Sequence, residues 1–434
     1  MRKGTIALVS LGCAKNAVDL QVRAGNLLKA GFALSSDPDR ADTVIVNTCS
    51  FIASAREEAE REIVRALELK RRGQYKRVVV TGCYPQRYPK LKNAFPGVDE
   101  WIGVPQVWVE PKIPALRLTG KAFAYLKIAE GCAHRCSYCA IPSIRGKYRS
   151  RPMKAILREA KALIASGCRE LNVVAQDPML WREEVEERGR GRQRTLHLSD
   201  LLWAIDRIKG DFWVRVLYSY PSEITEDFLV WMLTSKHAVR YMDVPIQHTV
   251  PAVLENMNRK RAIEPSRAAA EVLREVVPGI TLRTTIMTGF PGETEARFKE
   301  LMADLKRMQF DHLGAFAYSP EEGTKGWTMK GRPRRAVAEE RERLVMEQQE
   351  RIWKLKAKRT IGQEFVALVV APGVARMESQ APDVDGVVYL ADGRARRPHS
   401  RATRDSQRPR AVVGEFIKVR LVKVKGFDFI GVVI

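Results

Sequence analysis

The stretch FAYLKIAEGCAHRCSYCA, residues 123–140, joins an apolar run to three cysteines spaced C-x-x-x-C-x-x-C. The apolar run predicts a β-strand, so Cys132, Cys136 and Cys139 follow directly after that strand. Five similar runs come later, and helical patterns separate most of them. The six predicted strands are residues 123–131, 169–177, 211–221, 239–248, 281–290 and 310–319. Six βα units predict a complete or partial barrel whose site lies at the carboxyl ends of its strands.

Three thiolates at the mouth of a barrel indicate a metal group, and the choice lies between iron–sulfur and zinc. A four-iron cluster held by three cysteines leaves one iron without a protein ligand. That iron can chelate a small molecule through an amine and a carboxylate. Zinc needs a fourth ligand, and His134 is too close in sequence to Cys132 for both to serve a tetrahedral ion. The spacing therefore favours a cluster over a zinc knuckle.

A second set of cysteines closes three apolar runs near the start of the chain. The runs TIALVSLGC, ADTVIVNTC and KRVVVTGC end at Cys13, Cys49 and Cys83, and helical patterns follow the first two. Such βα alternation predicts an open parallel sheet, and its strands place these cysteines at one carboxyl edge. Three separate core cysteines are the alternative. The long spacing lacks the C-x-x-C pairs typical of zinc and suits an iron–sulfur cluster at least as well.

The carboxyl-terminal part has a different pattern. Residues 334–360 predict a long, charged, amphipathic helix that links domains. Short strands and turns follow it and predict a small all-β barrel. Residues 393–410 contain seven arginines and one acidic residue. This segment is too basic for a core, so we expect either a loop that binds RNA or an acidic protein face, or a disordered segment.

Composition narrows the class of protein. The 434 residues carry a formal net charge of +23, which favours a polyanionic partner such as nucleic acid or a ribonucleoprotein. A basic host proteome is the alternative. Seven cysteines, an odd number, argue against a disulfide framework. The apolar stretch before Cys13 is at the lower limit for a leader and lacks a cleavage site. No run is long enough to span a membrane, and we expect a cytoplasmic protein.

Six local motifs carry a resemblance to a known family. They are SLGCAKNAVD, ADTVIVNTCSFI, AIPSIRGKYRSRP, YMDVPIQH, GFPGETE and AYSPEEGT. With the two cysteine sets, they make the whole chain similar to the radical S-adenosylmethionine (SAM) methylthiotransferases. The closest branch methylthiolates an aspartate of a small-subunit ribosomal protein at the decoding centre. The branch that acts on tRNA adenosine typically has GCQMN at the first cysteine and Arg-Pro in place of Glu321 and Glu322.

Some positions depart from that branch. Ala14 replaces the usual proline after the first cysteine, VDLQ at residues 18–21 replaces VDSE, and QDPM at residues 176–179 replaces QDTT. The changed positions include Leu20, Gln21 and Pro178. All six cluster cysteines are present, so these departures bear on substrate contacts and not on the basic chemistry.

The resemblance implies an α/β protein of three domains and two [4Fe-4S] clusters. The domains are a methylthiotransferase amino-terminal domain at 1–116, a partial (β/α)6 radical SAM barrel at 117–358 and a TRAM-like β-barrel at 359–434. The cluster on Cys132, Cys136 and Cys139 would bind SAM and generate a 5′-deoxyadenosyl radical, which takes hydrogen from an unactivated carbon. The cluster on the other three cysteines would carry or supply sulfur, which a second SAM methylates.

Several further residues are candidates for contacts with SAM or substrate. Gln247, His248 and the turn from Gly289 to Glu293 are the candidates for SAM, although GFPGETE is also an ordinary strand-to-helix turn and His248 equally fits a structural role. Cys168 precedes a predicted strand and is expected in the core. The basic residues after the cysteines either line an entrance for an acidic target or form a solvated loop. They are Arg145, Lys147, Arg149 and Arg151.

Three functions remain open at this stage. The first is a ribosomal-protein aspartate methylthiotransferase that meets its substrate free or on the ribosome. The second is a tRNA adenosine methylthiotransferase, and the third is a non-catalytic zinc-dependent RNA-binding protein. The expected partners of the first are the ribosomal protein, RNA at the TRAM-like domain and basic loop, and an electron-donor protein, with no membrane.

Overall fold

The computed structural model describes residues 3–35, 37, 40–105, 111, 113, 116–186, 193–391 and 411–434. The arginine-rich segment 393–410 lies outside the described residues, so its predicted role as a binding loop stays a prediction. Within the described ranges, no helix is both long and apolar enough to cross a bilayer.

The amino-terminal part is a parallel sheet with helices on its faces. Its strands are β1 (Thr5–Ser10), β2 (Ala33–Leu34), β3 (Thr43–Thr48), β4 (Arg77–Gly82) and β5 (Glu100–Ile102), in the order β2-β1-β3-β4-β5. The helices are α1 (Ala14–Lys29), α2 (Ala53–Arg71) and the short α3 (Cys83–Arg87). β3 is buried at every position because it lies at the centre of the sheet. The predicted open parallel sheet is confirmed.

The central part contains all six predicted strands and two additional antiparallel pairs of short strands. Its strands are β6 (Phe123–Lys127), β7 (Ala129–Glu130), β8 (Arg149–Ser150), β9 (Glu170–Val174), β10 (Arg182–Glu186), β11 (Gln193–His197), β12 (Trp213–Val216), β13 (Tyr241–Asp243), β14 (Thr281–Thr288) and β15 (His312–Ala317). Its helices are α4 (Ile141–Arg145), α5 (Met153–Ala165), α6 (Leu198–Asp206), α7 (Glu226–Thr234), α8 (Pro251–Asn256), α9 (Ile263–Val276), α10 (Glu295–Met308) and α11 (Arg335–Thr360).

The six predicted strands form two parallel triplets, β12-β9-β6 and β13-β14-β15. The triplets meet beside Val214, whose amide donates to His237 O at 2.7 Å and whose carbonyl accepts from the Val239 amide at 3.1 Å. β6 and β15 are thus the outer strands. The predicted partial barrel is confirmed. The antiparallel hairpin of β10 and β11 was not predicted, because its charged strand sequence REEVE lacks an apolar run.

The carboxyl-terminal part is a closed five-stranded barrel, which confirms the predicted all-β domain. Its strands are β16 (Glu364–Ala371), β17 (Val374–Met377), β18 (Val388–Leu390), β19 (Phe416–Lys425) and β20 (Asp428–Val433), in the order β16-β17-β18-β20-β19. The long helix α11 packs along β15 and β14, and near its end Trp353 and Ala357 enter the core of the small barrel. This helix therefore joins the two domains by packing against both.

The segment between β17 and β18 enters the central barrel near the amino ends of its strands. Tyr125 OH donates to Asp383 Oδ2 at 2.5 Å, and Tyr241 OH donates to Asp385 Oδ2 at 2.7 Å. Arg283 Nη1 lies 2.6 Å from Asp385 Oδ1. The small barrel thus closes the end of the partial barrel that is opposite the cysteines.

A buried charge triad strengthens this closure. Arg215 Nε donates to Glu170 Oε1 at 2.8 Å, and Arg376 from β17 donates to the other oxygen of Glu170. The side chains of Glu170 and Arg215 are fully buried. We call this triad, with Asp383 and Asp385 and their partners, the lower junction. A buried carboxylate between two guanidinium groups is compensated in charge, which a lone buried ion would not be.

Candidate two-cluster active site

The central cysteines lie where the strand pattern places them, on the loop after β6 and β7. Cys132, Cys136 and Cys139 line one cavity of about 1050 Å³. Gly131 makes the loop possible, because it has φ of 77° and a Cβ at this position would lie 2.2 Å from Lys147 O. The three thiols therefore share an open, preformed space at the carboxyl ends of the strands.

Burial and a nearby positive charge have opposite effects on the pKa values of these thiols. Burial raises the pKa of Cys132 to about 11 and that of Cys139 to about 12. Arg259 brings a buried positive charge, with Nη1 at 3.9 Å from Cys136 Sγ. Ligands of an iron–sulfur cluster are thiolates, so cluster binding must displace these protons. Sequence reasoning missed Arg259, which follows the short helix α8 and carries no recognisable local signal.

His134 does not behave as a zinc ligand. Its Nε2 lies 2.6 Å from Asp177 Oδ2, and its ring stacks on Tyr220 with 3.8 Å between ring centroids. Across the described ranges, no three side chains of His, Cys, Asp or Glu converge as a single-ion site requires. Three thiols around one cavity would fit a larger group such as an iron–sulfur cluster.

The amino-terminal cysteines occupy the carboxyl edge of three neighbouring strands. Cys13 caps the start of α1 after β1, Cys49 follows β3, and Cys83 begins α3 after β4. Asn16 is buried and connects the loops of all three, because its Nδ2 donates to Leu11 O at 2.8 Å and Thr48 O at 3.2 Å, while its Oδ1 lies 4.0 Å from Cys83 Sγ. The donor set and its placement fit a cluster with three protein ligands.

The three amino-terminal thiols differ in how easily they ionise. Burial raises the pKa of Cys83 to about 12, although Arg145 partly opposes this rise. The surrounding chain also desolvates Cys13, but the positive charges of Lys15 and Arg145, together with hydrogen bonds from the backbone amides of Asn16 and Lys15, outweigh that effect and lower its pKa. Burial raises the pKa of Cys49 as well, so Cys13 is the thiol of this set whose ionisation the protein favours.

A buried charge network joins the two cysteine sets. Arg145 from α4 donates to Glu130 at 3.0 Å and, across the domain boundary, to Asp19 of α1 at 2.9 Å. Lys127 pairs with the same two carboxylates. Gln176 Nε2 donates to Glu130 Oε1 at 3.2 Å. The charged residues Lys127 and Glu130, three positions apart in an otherwise apolar strand, are the sequence signal that could have revealed this network.

Glu321 forms a second connection between the domains. Its carboxylate accepts from the Ala53 amide at 2.9 Å, at the start of α2, and from Arg87 Nη1 at 3.1 Å. Arg56 also donates to it. Glu321 is 1% exposed. Together with the network around Arg145, these contacts form what we call the upper junction, which holds the loops of Cys49 and Cys83 against the central barrel.

The structure contradicts the predicted basic entrance for two of its four residues. Arg145 and Arg151 are 1% and 2% exposed, so neither lines an entrance. Arg151 pairs with Glu159 at 2.5 Å. Lys147 and Arg149 are exposed, and Lys147 lines the cavity of the central cysteines. The prediction was wrong for the first pair because an arginine in a basic run looks the same in sequence whether it is solvated or paired with distant carboxylates.

Most of the candidate SAM contacts have structural partners. His248 Nδ1 accepts from the Val250 amide at 3.0 Å, and Nε2 lies 3.3 Å from Glu293 Oε2. Glu293 also accepts from the Gly289 amide at 2.9 Å and from Arg341 of α11 at 2.7 Å. A Cβ at Gly289 would lie 2.2 Å from a side-chain atom of α11. His248, Gly289 and Glu293 thus anchor α11 on the barrel.

Other polar atoms at the strand ends lack such partners. Among the buried side-chain oxygens of the described residues that have no hydrogen-bond partner are Gln176 Oε1, Ser219 Oγ, Asp243 Oδ1 and Gln247 Oε1, which follow or end strands of the central part. Buried polar groups are normally hydrogen-bonded, so these groups without hydrogen-bond partners fit a polar ligand in the barrel mouth. Gln247, with φ of 69°, is a predicted SAM candidate that keeps an available atom. Cys168 is buried in the central core, as predicted.

Comparisons with known proteins agree with this division into parts. The Radical SAM superfamily model matches residues 126–305, the model of the uncharacterized protein family UPF0004 matches residues 5–103, and the TRAM domain model matches residues 361–434. Among solved structures, the chain is similar to the radical S-adenosylmethionine methyltransferase TsrM from Kitasatospora setae, with a TM-score of 0.51 and 18% identity over 92% of this chain and 84% of that chain. That likeness supports the fold.

Curated relatives are similar over nearly their whole length. The ribosomal protein uS12 methylthiotransferase RimO of Geobacter sulfurreducens is 35% identical over 100% of this chain and 99% of its own. RimO proteins of Moorella thermoacetica and Pelotomaculum thermopropionicum are each 39% identical over 89% of this chain, and over 92% and 93% of their own chains.

Proposed function

Because this chain belongs to the RimO family of radical SAM methylthiotransferases, we propose that it adds a methylthio group to the β-carbon of an aspartate in ribosomal protein uS12. Family membership confirms the predicted methylthiotransferase family and the cofactor class of SAM with iron–sulfur clusters. The observation that carries the proposal is the pair of three-cysteine sets, held against each other by the upper junction. A non-catalytic zinc protein would need neither the second set nor the barrel.

We assign the cluster on Cys132, Cys136 and Cys139 to SAM binding and the cluster on Cys13, Cys49 and Cys83 to sulfur transfer. When bound, these groups supply the one-electron chemistry that removes hydrogen from an unactivated carbon, together with the sulfur and the methyl group. The protein orients the reactants and excludes water. Lower-junction contacts close the far end of the barrel, and the free oxygens of Gln176, Ser219 and Gln247 can hold polar groups of SAM.

The cavity beside the central cysteines is our proposed entrance for the substrate. Its charged lining residues are Arg135, Lys147, Arg182, Lys325 and one acid, Glu184. This excess of positive charge favours a carboxylate-bearing side chain, which is what a target aspartate presents. The TRAM-like barrel would contact RNA near the substrate, and a separate protein would donate electrons. We keep the domain limits 1–116, 117–358 and 359–434, and the cytoplasmic location, as predictions.

The test is an anaerobic assay with purified protein reconstituted with iron and sulfide. Two four-iron clusters predict roughly eight irons per chain. With SAM, a chemical reductant and uS12, mass spectrometry should show one methylthio group on one aspartate of uS12. Modification of tRNA alone, with none on uS12, would support the tRNA alternative and overturn the proposal. Colourless protein that binds zinc would overturn both.

A matched pair of variants checks the site assignment. Cys136→Ala should lose about half of the iron and all SAM cleavage, because it removes a ligand of the central cluster. Cys49→Ala should also lose about half of the iron but retain SAM cleavage. Cys168→Ala is the control, since this buried thiol lies in the core away from both sets, and it should keep the full iron content. Equal behaviour of all three would contradict the assignment.

A further inference from the structure

Arg145 belongs to the loop of one cysteine set but reaches the other set. Its backbone ends α4, six residues after Cys139. Its guanidinium Nη2 donates to Asn16 Oδ1 at 3.3 Å and lies 3.4 Å from Cys83 Sγ, close enough for an N–H···S hydrogen bond. Through Asn16 it also touches the residue that connects the three amino-terminal cysteine loops. A single side chain thus spans the boundary between the two sets.

Two carboxylates orient this side chain. Nη1 donates to Asp19 Oδ2 at 2.9 Å and to both oxygens of Glu130 at 3.0 Å. The carboxylates compensate the buried charge, and they leave Nη2 pointing at the thiol of Cys83. Lysine offers one nitrogen where arginine offers a planar fork. A lysine in place of Arg145 could therefore keep the contacts to the carboxylates while losing the contact to the Cys83 sulfur.

Hydrogen bonds to ligating sulfur and nearby positive charge both change the energetics of an iron–sulfur cluster. Each stabilises the more negative, reduced form, and each therefore raises the reduction potential. Cys83 is buried, so water does not compete strongly for this sulfur. The Arg145 guanidinium is the donor placed to act on it.

We propose that Arg145 is a positioning residue that fixes the amino-terminal cysteine set at the barrel mouth and raises the reduction potential of the cluster held there. This inference rests on the proposed function, because it assumes a cluster on Cys13, Cys49 and Cys83. It assigns to Arg145 a role toward the sulfur-carrying site, although the residue lies in the loop that follows the other set.

The experiment isolates the amino-terminal cluster. The full-length chain with Cys132→Ala, Cys136→Ala and Cys139→Ala is reconstituted anaerobically, and its reduction potential is measured by titration followed by electron paramagnetic resonance. Arg145→Lys and Arg145→Met are then added separately. We expect both to shift the potential to more negative values, and Arg145→Met to shift it further because it also removes the charge.

Arg151→Lys is the matched control, since Arg151 is an equally buried arginine six positions further along the chain, and it donates to Lys127 O and Ala155 O and pairs with Glu159 within the central domain. It should leave the potential unchanged. If Arg145→Met fails to bind a cluster, Arg145→Lys decides the outcome. Unchanged potentials in the Arg145 variants, or an equal shift in Arg151→Lys, would overturn the proposal. A parent chain that binds no iron would overturn the proposed function itself.

Discussion

The central barrel meets its neighbours through buried charges at both ends, but the two junctions lie in different surroundings. At the lower junction, Glu170 is enclosed by Arg215 and Arg376, and the contacts connect strands to the small barrel. At the upper junction, Arg145 and Glu321 bind loops that carry cysteines. The same kind of interaction therefore serves architecture at one end and the placement of reactive groups at the other.

This difference has a physical consequence. Replacing a residue of the lower junction should cost stability and leave the chemistry of the surviving folded molecules unchanged. Replacing a residue of the upper junction should affect the reaction as well as the fold, because its partners lie on the loops that carry the cysteines. Four predictions test this distinction.

The largest expected effect is on stability at the lower junction. Glu170→Gln leaves Arg215 and Arg376 buried without a carboxylate, so the free energy of unfolding of the central domain should fall by about 3–5 kcal/mol. Urea denaturation followed by circular dichroism measures this loss. Glu364→Gln removes an exposed partner of Arg420 and should change stability by less than about 1 kcal/mol. A small effect at Glu170 would contradict the distinction.

The next effect concerns a residue between the two junctions. Arg283 Nη1 lies 2.6 Å from Asp385 Oδ1, which belongs to the lower junction. Arg283 Nε lies 4.0 Å from Oδ1 of Asp243, the last residue of β13. Burial raises the pKa of Asp243 to about 6, opposed by Arg283 and reinforced by Asp385. The folded-state pKa of Asp243 exceeds the unfolded value of about 3.9. Between these two pKa values, the native state therefore binds a proton that the unfolded state has released.

The contribution of Asp243 to stability should therefore decline as pH rises from about 4 to about 6, and then remain constant. Over that interval the decline is at most about 3 kcal/mol. Asp243→Asn removes the titrating proton, so its stability relative to the parent should rise across this interval. Urea titrations at several pH values measure the difference between parent and variant, and a difference independent of pH would refute the assignment.

A smaller effect is expected at the upper junction, and it should appear in the reaction. Glu321→Gln removes the charge that Arg56, Arg87 and the start of α2 share. Supporting contacts around metal sites typically change activity about 10–100-fold, and we expect a loss of that order in methylthio transfer with iron content retained. Glu322→Gln is the control, because that neighbour is exposed. Equal rates for the two variants would show that the junction does not position the reaction.

The smallest effect should come from the rim of the cavity. Lys147→Gln removes an exposed charge, so stability should stay within about 0.5 kcal/mol. The KM for uS12 should rise by roughly threefold, and the rise should be smaller at high salt because screening weakens the contribution of this charge. Lys209→Gln, an exposed lysine before β12, should leave KM unchanged. If Lys147→Gln behaves like this control, the substrate does not approach over Lys147.

The sequence alone determined the architecture and the two sets of cysteines. Apolar runs with helical patterns between them predicted the parallel sheet, the six strands of the partial barrel and the small β-barrel. The position of a cysteine after a strand depends only on local spacing, so all three amino-terminal cysteines could be assigned to one sheet edge. The fold class and the placement of the cysteines are therefore local information, readable within one βα unit at a time.

Only the tertiary structure decided which charges are buried and what they hold together. Arg145 pairs with Asp19, 126 positions away, and Arg376 pairs with Glu170, 206 positions away. The tertiary structure also showed that His248 and Glu293 support α11. The small barrel closes the far end of the central barrel. Strand and helix periodicity constrains neighbours in sequence, whereas an ion pair between distant residues depends on how the folded domains meet.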